Sequence, residues 1–120
     1  MKNKFLDLID TDKIIIQQHN FAVYELNSNI ISSNVIFIEI LSQIAVKVVK
    51  KLCNITNLVI PVKMLNISLP DPTLTPNCVQ LVYTATLCLN NLNYTSVNIL
   101  CERINLNCTI IVMKVEVPCK

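Results

Sequence analysis

A chain of 120 residues that is 52% hydrophobic and only 15% charged holds enough apolar material for one domain, residues 1–120, around a single core, and it is not disordered. A formal charge of +2, with no basic cluster interleaved with aromatics, gives nucleic acid nothing to bind. The absence of glycine excludes a glycine-rich phosphate loop or a dinucleotide fingerprint.

In chain order, Phe5–Ile9 reads as a short apolar turn or helix, and Lys13–Glu25 has the β-branched and aromatic content of one long strand. Asn27–Ser33 is a loop whose last serines, Ser32 or Ser33, can cap a helix by accepting a first-turn amide. The helix itself is predicted over Asn34–Leu52, NVIFIEILSQIAVKVVKKL, an apolar run of the kind that is normally wrapped by other structure. Glu39, Gln43 and Lys47 interrupt it, so no membrane span is expected. MKNKFLDLIDTDK carries acids where a signal peptide needs an apolar core, which makes a cytoplasmic chain the expectation. Lys47, Lys50 and Lys51 are read as complements to the negative end of the helix.

After a turn at Cys53–Asn57, Leu58–Ser68 reads as a strand, with Pro61 marking an edge or bulge. Leu69–Asn77, with three of the five prolines, is an irregular crossover. Cys78–Leu89, Leu92–Ile104 and Cys108–Val117 follow as an antiparallel meander, with Val79, Leu81, Tyr83, Ala85 and Leu87 facing inward. Asparagine stands at the turns, as the residue that best replaces glycine at positive φ. The order is strand, helix, then four strands. Its economical solution is an α+β domain whose curved antiparallel sheet wraps one long central helix, with dimerisation through sheet edges supplying further cover.

Six cysteines form no C-x-x-C pair, so neither zinc nor redox chemistry is expected and free buried thiols are. Cys101 and Cys108 are placed to face each other across a hairpin, which in an oxidising compartment would permit a disulfide. Four N-x-[ST] sequons, at Asn54, Asn66, Asn93 and Asn107, arise easily in a chain this rich in asparagine.

Val35–Ala45, VIFIEILSQIA, resembles the central helix of the hotdog-fold 3-hydroxyacyl-[acyl-carrier-protein] dehydratases, in which an apolar run leads into Glu-x-x-x-Gln-x-Ala. Lys63–Ser68 followed by Thr75-Pro76-Asn77 resembles their third strand and Pro-Gly-Asp turn. Glu102–Val115 resembles their last hairpin. The resemblance covers roughly Asn34–Val117 and implies a hotdog fold and loss of water from a 3-hydroxyacyl thioester, without a cofactor, in fatty acid or polyene-type synthesis. By it, Glu39 matches the catalytic glutamate. Ser33, Asn34 and Val35 supply the helix N-terminus that stabilises the thioester carbonyl, and Ile38, Gln43, Leu41 and Val62 line or adjoin an acyl tunnel. The implied partners are acyl carrier protein and a second hotdog subunit, in a homodimer or a heterodimer.

The chain departs from the family at the other half of the acid–base pair. The loop Asn27–Ser33 has no histidine, proline or glycine, and the usual spacing counted back from Glu39 lands near Glu25. His19, the sole histidine, stands in the first strand, where a structural or surface role is the ordinary reading. The resemblance extends to shortened relatives of polyene or polyketide pathways that lack this loop, and it implies pairing with a complete partner subunit. Glu39 has an alternative too: with Ser42, Gln43, Lys47 and Lys50 it forms an ordinary polar stripe, Glu39 and Gln43 being an i,i+4 pair. A non-catalytic acyl-binding or partner subunit and an acyl thioesterase remain alternatives of the same fold.

Overall fold

The computed structural model describes residues 7–27, 33–53, 58–68, 80–89 and 93–115. The expected crossover Leu69–Asn77, the Asn90-Asn91 turn, Val79, Cys78 and Cys119 lie outside them. A 3-10 turn, Thr11–Lys13, leads into strands β1 (Ile15–Gln18) and β2 (Phe21–Asn27), helix α1 (Asn34–Leu52), and strands β3 (Leu58–Ser68), β4 (Gln80–Leu89), β5 (Tyr94–Cys101) and β6 (Leu106–Val115). The strands form one antiparallel sheet in the order β1-β2-β4-β5-β6-β3. The helix therefore carries the chain from near one edge of the sheet to the other.

Helix α1 starts where its cap allows. Ser33 is extended and its hydroxyl accepts a hydrogen bond from the Ile36 amide at 3.2 Å. Phe37, Ile40, Leu41, Ile44, Ala45, Val48 and Val49 recur at helical spacing and are all at most 1% exposed. They meet the inward residues of the meander: Leu81, Tyr83, Ala85 and Leu87 of β4, Thr95, Val97, Ile99 and Cys101 of β5, and Leu106, Cys108, Ile110 and Val112 of β6. The period-2 alternation expected for these strands is thus the face that covers the helix.

The long strand expected over Lys13–Glu25 is instead a 3-10 turn and a hairpin. Gln18 pairs with Phe21 across the two-residue turn His19-Asn20, and Asn20 is held by β4, its carbonyl accepting the Leu87 amide at 2.9 Å. The strand content of the segment is real; the reversal within it lacks the glycine that usually marks one. Elsewhere asparagine takes the place of glycine, as expected at Asn105 and, within a predicted strand, also at Asn66. Asn105 (φ 54°) turns the chain into β6, and Asn66 (φ 51°) lies where the β3–β6 register slips between Leu65 and Ser68. The second strand of the meander, expected to reach Ile104, ends at Cys101, since Glu102–Ile104 turns as a 3-10 helix.

That turn shifts the hairpin register. Cys101 lies opposite Leu106 and Cys108 opposite Ile99, so the two cysteines are diagonal rather than facing, and both are free buried thiols. Cys53 and Cys88 correct the expectation of burial: one closes the helix and the other alternates outward beside Leu87, and both are exposed.

Burial pushes the Cys108 thiol from an ordinary 9.0 up to about 11. It also raises Cys101, with backbone N–H groups of Ile104 and Arg103 and the Arg103 charge acting in the opposite direction. Tyr83 is raised well above its ordinary 10.0, first by burial and then by the Cys101 thiol. Its hydroxyl has no hydrogen-bond partner among the described residues. All three groups keep their protons in the folded state at a pH where the unfolded chain releases them, so the folded state binds more protons and stability falls as pH rises. Stability measured by urea midpoint should hold to about pH 8.5 and decline above pH 9, by about 2 kcal/mol from Cys108 alone near pH 11, and Cys108→Val should flatten the decline. Tyr83→Phe should leave the midpoint unchanged or raise it, because it removes a buried polar atom that makes no bond. A loss of more than about 1 kcal/mol would reveal a partner for that hydroxyl.

Candidate functional site

The face of α1 that the sheet leaves uncovered carries Glu39, Gln43, Lys47 and Lys51, each four residues after the last. Side chains at that spacing form one ridge along a helix. The ridge is not simply a solvated stripe, because the segment before β1 is tied along it. The Leu8 amide donates to Gln43 Oε1 at 2.8 Å, and Gln43 Nε2 donates to Glu39 Oε2 at 2.9 Å. Lys47 Nζ binds the Asp7 carboxylate and the Ile9 carbonyl. Lys51 Nζ donates to the carbonyls of Thr11 at 3.0 Å and Ile14 at 2.7 Å. The expectation that these lysines serve the end of their own helix is therefore incomplete. Lys50 and Lys51 do lie in its last turn, but Lys47 and Lys51 hold a neighbouring segment.

The tied segment also enters the core. Ile9 and Ile14 are buried, Leu8 packs against the cluster, and the Tyr24 hydroxyl accepts the Asp10 amide at 3.1 Å. Asp10 in turn caps the 3-10 turn through the Asp12 amide. Apolar anchoring and cationic ties thus act on the same eight residues.

Beside the ridge, towards β3, lies a hollow of about 370 Å³ lined by Glu39, Ser42, Gln43, Val46, Lys47 and Pro61. That volume falls at the lower end of the range for small-ligand clefts. Glu39 is half-buried in its wall. Of the other residues expected at a site, Ser33 caps the helix, and Asn34 and Val35 open its first turn with their side chains exposed. Ile38 and Val62 are 40% and 50% exposed, whereas Leu41 lies wholly inside the core. The hollow's β3 wall is made by Pro61. Sequence reading named Glu39, Ser42, Gln43 and Lys47 as one stripe. It missed Pro61 and Val46 as lining residues, and the Leu8 amide altogether, since a backbone donor leaves no mark in a side-chain pattern.

β3 is one edge of the sheet and pairs, among the described residues, with β6 alone. Leu58, Val62 and Ile67 are about half exposed along it. The opposite edge is β1, and His19 is exposed in the turn that follows it. Five inter-strand steps separate the two edges, roughly 24 Å along the sheet. Glu25 is exposed on β2. The structure therefore brings together Glu39 and Gln43 and leaves His19 exposed in the β1–β2 turn, at the sheet edge opposite β3.

No family model and no curated protein matches this sequence. Solved structures share its fold. A chain of the dehydratase heterocomplex ApeI:P from Xenorhabdus doucetiae superposes with a TM-score of 0.63 at 13% identity, over 87% of this chain and 81% of that one. A hypothetical thioesterase protein with coenzyme A from Streptococcus pneumoniae TIGR4 gives a TM-score of 0.55 at 13% identity, over 85% and 84%. The chain has the hotdog fold. Among the described residues no helix is long and apolar enough to cross a membrane.

The ties along the ridge are open to a direct check. Lys51→Met removes both contacts to Thr11 and Ile14 while keeping the aliphatic stem. Amide exchange across residues 7–14 should rise several-fold and that of β4 and β5 should not change; equal protection in both proteins would show that the apolar anchors hold the segment alone.

Proposed function

We propose that this chain is a dehydratase-like hotdog subunit that acts on or binds 3-hydroxyacyl thioesters carried by acyl carrier protein in fatty acid or polyene-type synthesis. The observation that carries the reading is Glu39, half-buried in the wall of a hollow beside the sheet edge β3 and held by Gln43. In this reading Glu39 is one of two acid–base groups. One group removes the proton next to the thioester carbonyl, a carbon–carbon double bond forms, and the hydroxyl leaves as water with a proton from the other group. First-turn amides at Ser33, Asn34 and Val35 would face the carbonyl oxygen as its negative charge grows.

The second group comes from another subunit. His19 stands in the β1–β2 turn, at the sheet edge opposite β3, and the loop before α1 holds no histidine. A related hotdog subunit paired along β3 would add its strand to the open edge, cover Leu58 and Val62, and bring its own histidine to the hollow. The similarity to a chain of a dehydratase heterocomplex supports a heterodimer over a homodimer. Lys63, exposed on the edge strand, would contribute to attraction of an acidic carrier protein. A single cytoplasmic domain is the form in which we expect it to work.

Two readings of the same fold compete. A non-catalytic acyl-binding subunit is favoured by the lack of a histidine in the loop before α1, and a thioesterase by the second structural neighbour. Hydration of a crotonyl thioester separates them. The chain alone should not turn over, a mixture with a histidine-bearing hotdog subunit should, and Glu39→Ala in that mixture should lose about 100-fold or more. Full activity of the Glu39→Ala mixture would remove Glu39 from the chemistry and leave the binding role. Turnover by the lone chain would overturn the shared site, and release of free thiol from acyl-CoA would establish the thioesterase.

A further inference from the structure

The hydrogen bonds at Gln43 have a direction that side-chain proximity alone does not supply. A backbone N–H can only donate, so the atom of Gln43 that lies 2.8 Å from the Leu8 nitrogen is the amide oxygen. Turning the amide over would set its NH₂ group against another donor. With the oxygen engaged, the NH₂ group is forced towards Glu39, where it lies 2.9 Å from Oε2. That carboxylate oxygen accepts the bond. Leu8 is itself placed from both sides: Asp7 and Ile9 are bound by Lys47, and Ile9 is buried in the core. Further along, Lys51 holds Thr11 and Ile14.

We infer that the Leu8 backbone amide and Gln43 form a positioning pair, through which the seating of the segment before β1 sets the orientation of Glu39 and reserves its Oε1 for proton exchange. The inference rests on the reading of Glu39 as an acid–base group, and it adds to that reading a part of the chain distant in sequence. It also gives the ties made by Lys47 and Lys51 a consequence at the site. Leu8 and Gln43 touch no reacting atom in this scheme. They act through Glu39.

The test uses a substitution that deletes a backbone donor. Leu8→Pro removes the N–H, whereas Leu8→Ala removes the side chain and keeps the N–H. Carbon–carbon and carbon–proton couplings of a ¹³C-labelled Glu39 side chain report whether it holds one rotamer. One rotamer is expected in the parent and in Leu8→Ala, and averaged couplings in Leu8→Pro and in Gln43→Met, a substitution that preserves side-chain length and helix propensity. If Leu8→Pro does not fold, Gln43→Met against the parent decides the matter. Equal couplings in Leu8→Ala and Leu8→Pro, or an unchanged Glu39 in Gln43→Met, would overturn the inference.

In the active two-subunit mixture, Leu8→Pro should lower kcat about tenfold with KM unchanged, and Leu8→Ala should not. Loss of activity on Glu39→Ala together with an indifferent Gln43→Met would leave the proposed function standing and remove this inference. An active Glu39→Ala with averaged couplings in Gln43→Met would do the reverse: the geometry would hold and the chemistry would lie elsewhere.

Discussion

The structure depends on covering one nineteen-residue helix that has few polar positions. Each of its larger buried side chains contributes about 1.5–3 kcal/mol when removed from water, so the seven on its inner face demand a continuous apolar surface opposite them. Three adjacent strands with strict alternation provide it. β4, β5 and β6 present their inward residues to α1 and leave a mixed face outside, with Val82, Leu100 and Ile111 beside threonine, serine and asparagine, where Asn98 bonds the Asn107 and Thr109 side chains and the Cys108 carbonyl. The outer ridge of the helix meets a different solution. Glu39, Gln43, Lys47 and Lys51 need hydrogen-bond partners, and the carbonyls and amides of an irregular segment need them equally. Each set supplies what the other lacks, and Ile9 and Ile14 add apolar anchors to the exchange.

Much of this was legible before the structure. The bounds of α1 follow from a cap, an apolar period and a run of lysines, and those of β3 from an apolar segment between turns. The inward face of β4 follows from alternation alone. The hairpin in Lys13–Glu25 was not legible, because β-branched residues continue on both sides of His19-Asn20 and the turn has no glycine. The cysteine register failed for a related reason: three residues spent in the 3-10 turn Glu102–Ile104 move Cys101 off the line to Cys108. At the site, Glu39 and Gln43 could be paired from their spacing, but the direction of their hydrogen bond could not. Direction comes from Leu8, thirty-five residues from Gln43, through a backbone group common to every residue except proline.

On the proposed reading, the placement of the hollow leaves the second acid–base group to a partner. Glu39 opens towards β3, an eleven-residue edge strand with two register slips, a proline and exposed apolar side chains. Proline and bulges ordinarily discourage pairing at an edge, and the apolar residues favour it. An edge with both features is selective about what it accepts, which suits a matched partner strand better than a generic one.

Fold and chemistry are under different constraints in this molecule. A core of this kind asks for apolar volume in the right pattern and tolerates wholesale exchange of leucine, isoleucine and valine, so the sheet and helix superpose on neighbours at 13% identity. An acid–base pair asks for two specific groups within hydrogen-bond reach of one substrate, and one displaced group abolishes it. On the proposed reading, a chain rich in asparagine and without glycine has the first and lacks the glycine-containing loop that, by the family resemblance, would carry half of the second. On the reading proposed above, the part of the site present in this chain is the one built into the helix. Here that part is Glu39, together with the glutamine and the backbone amide that hold it in place.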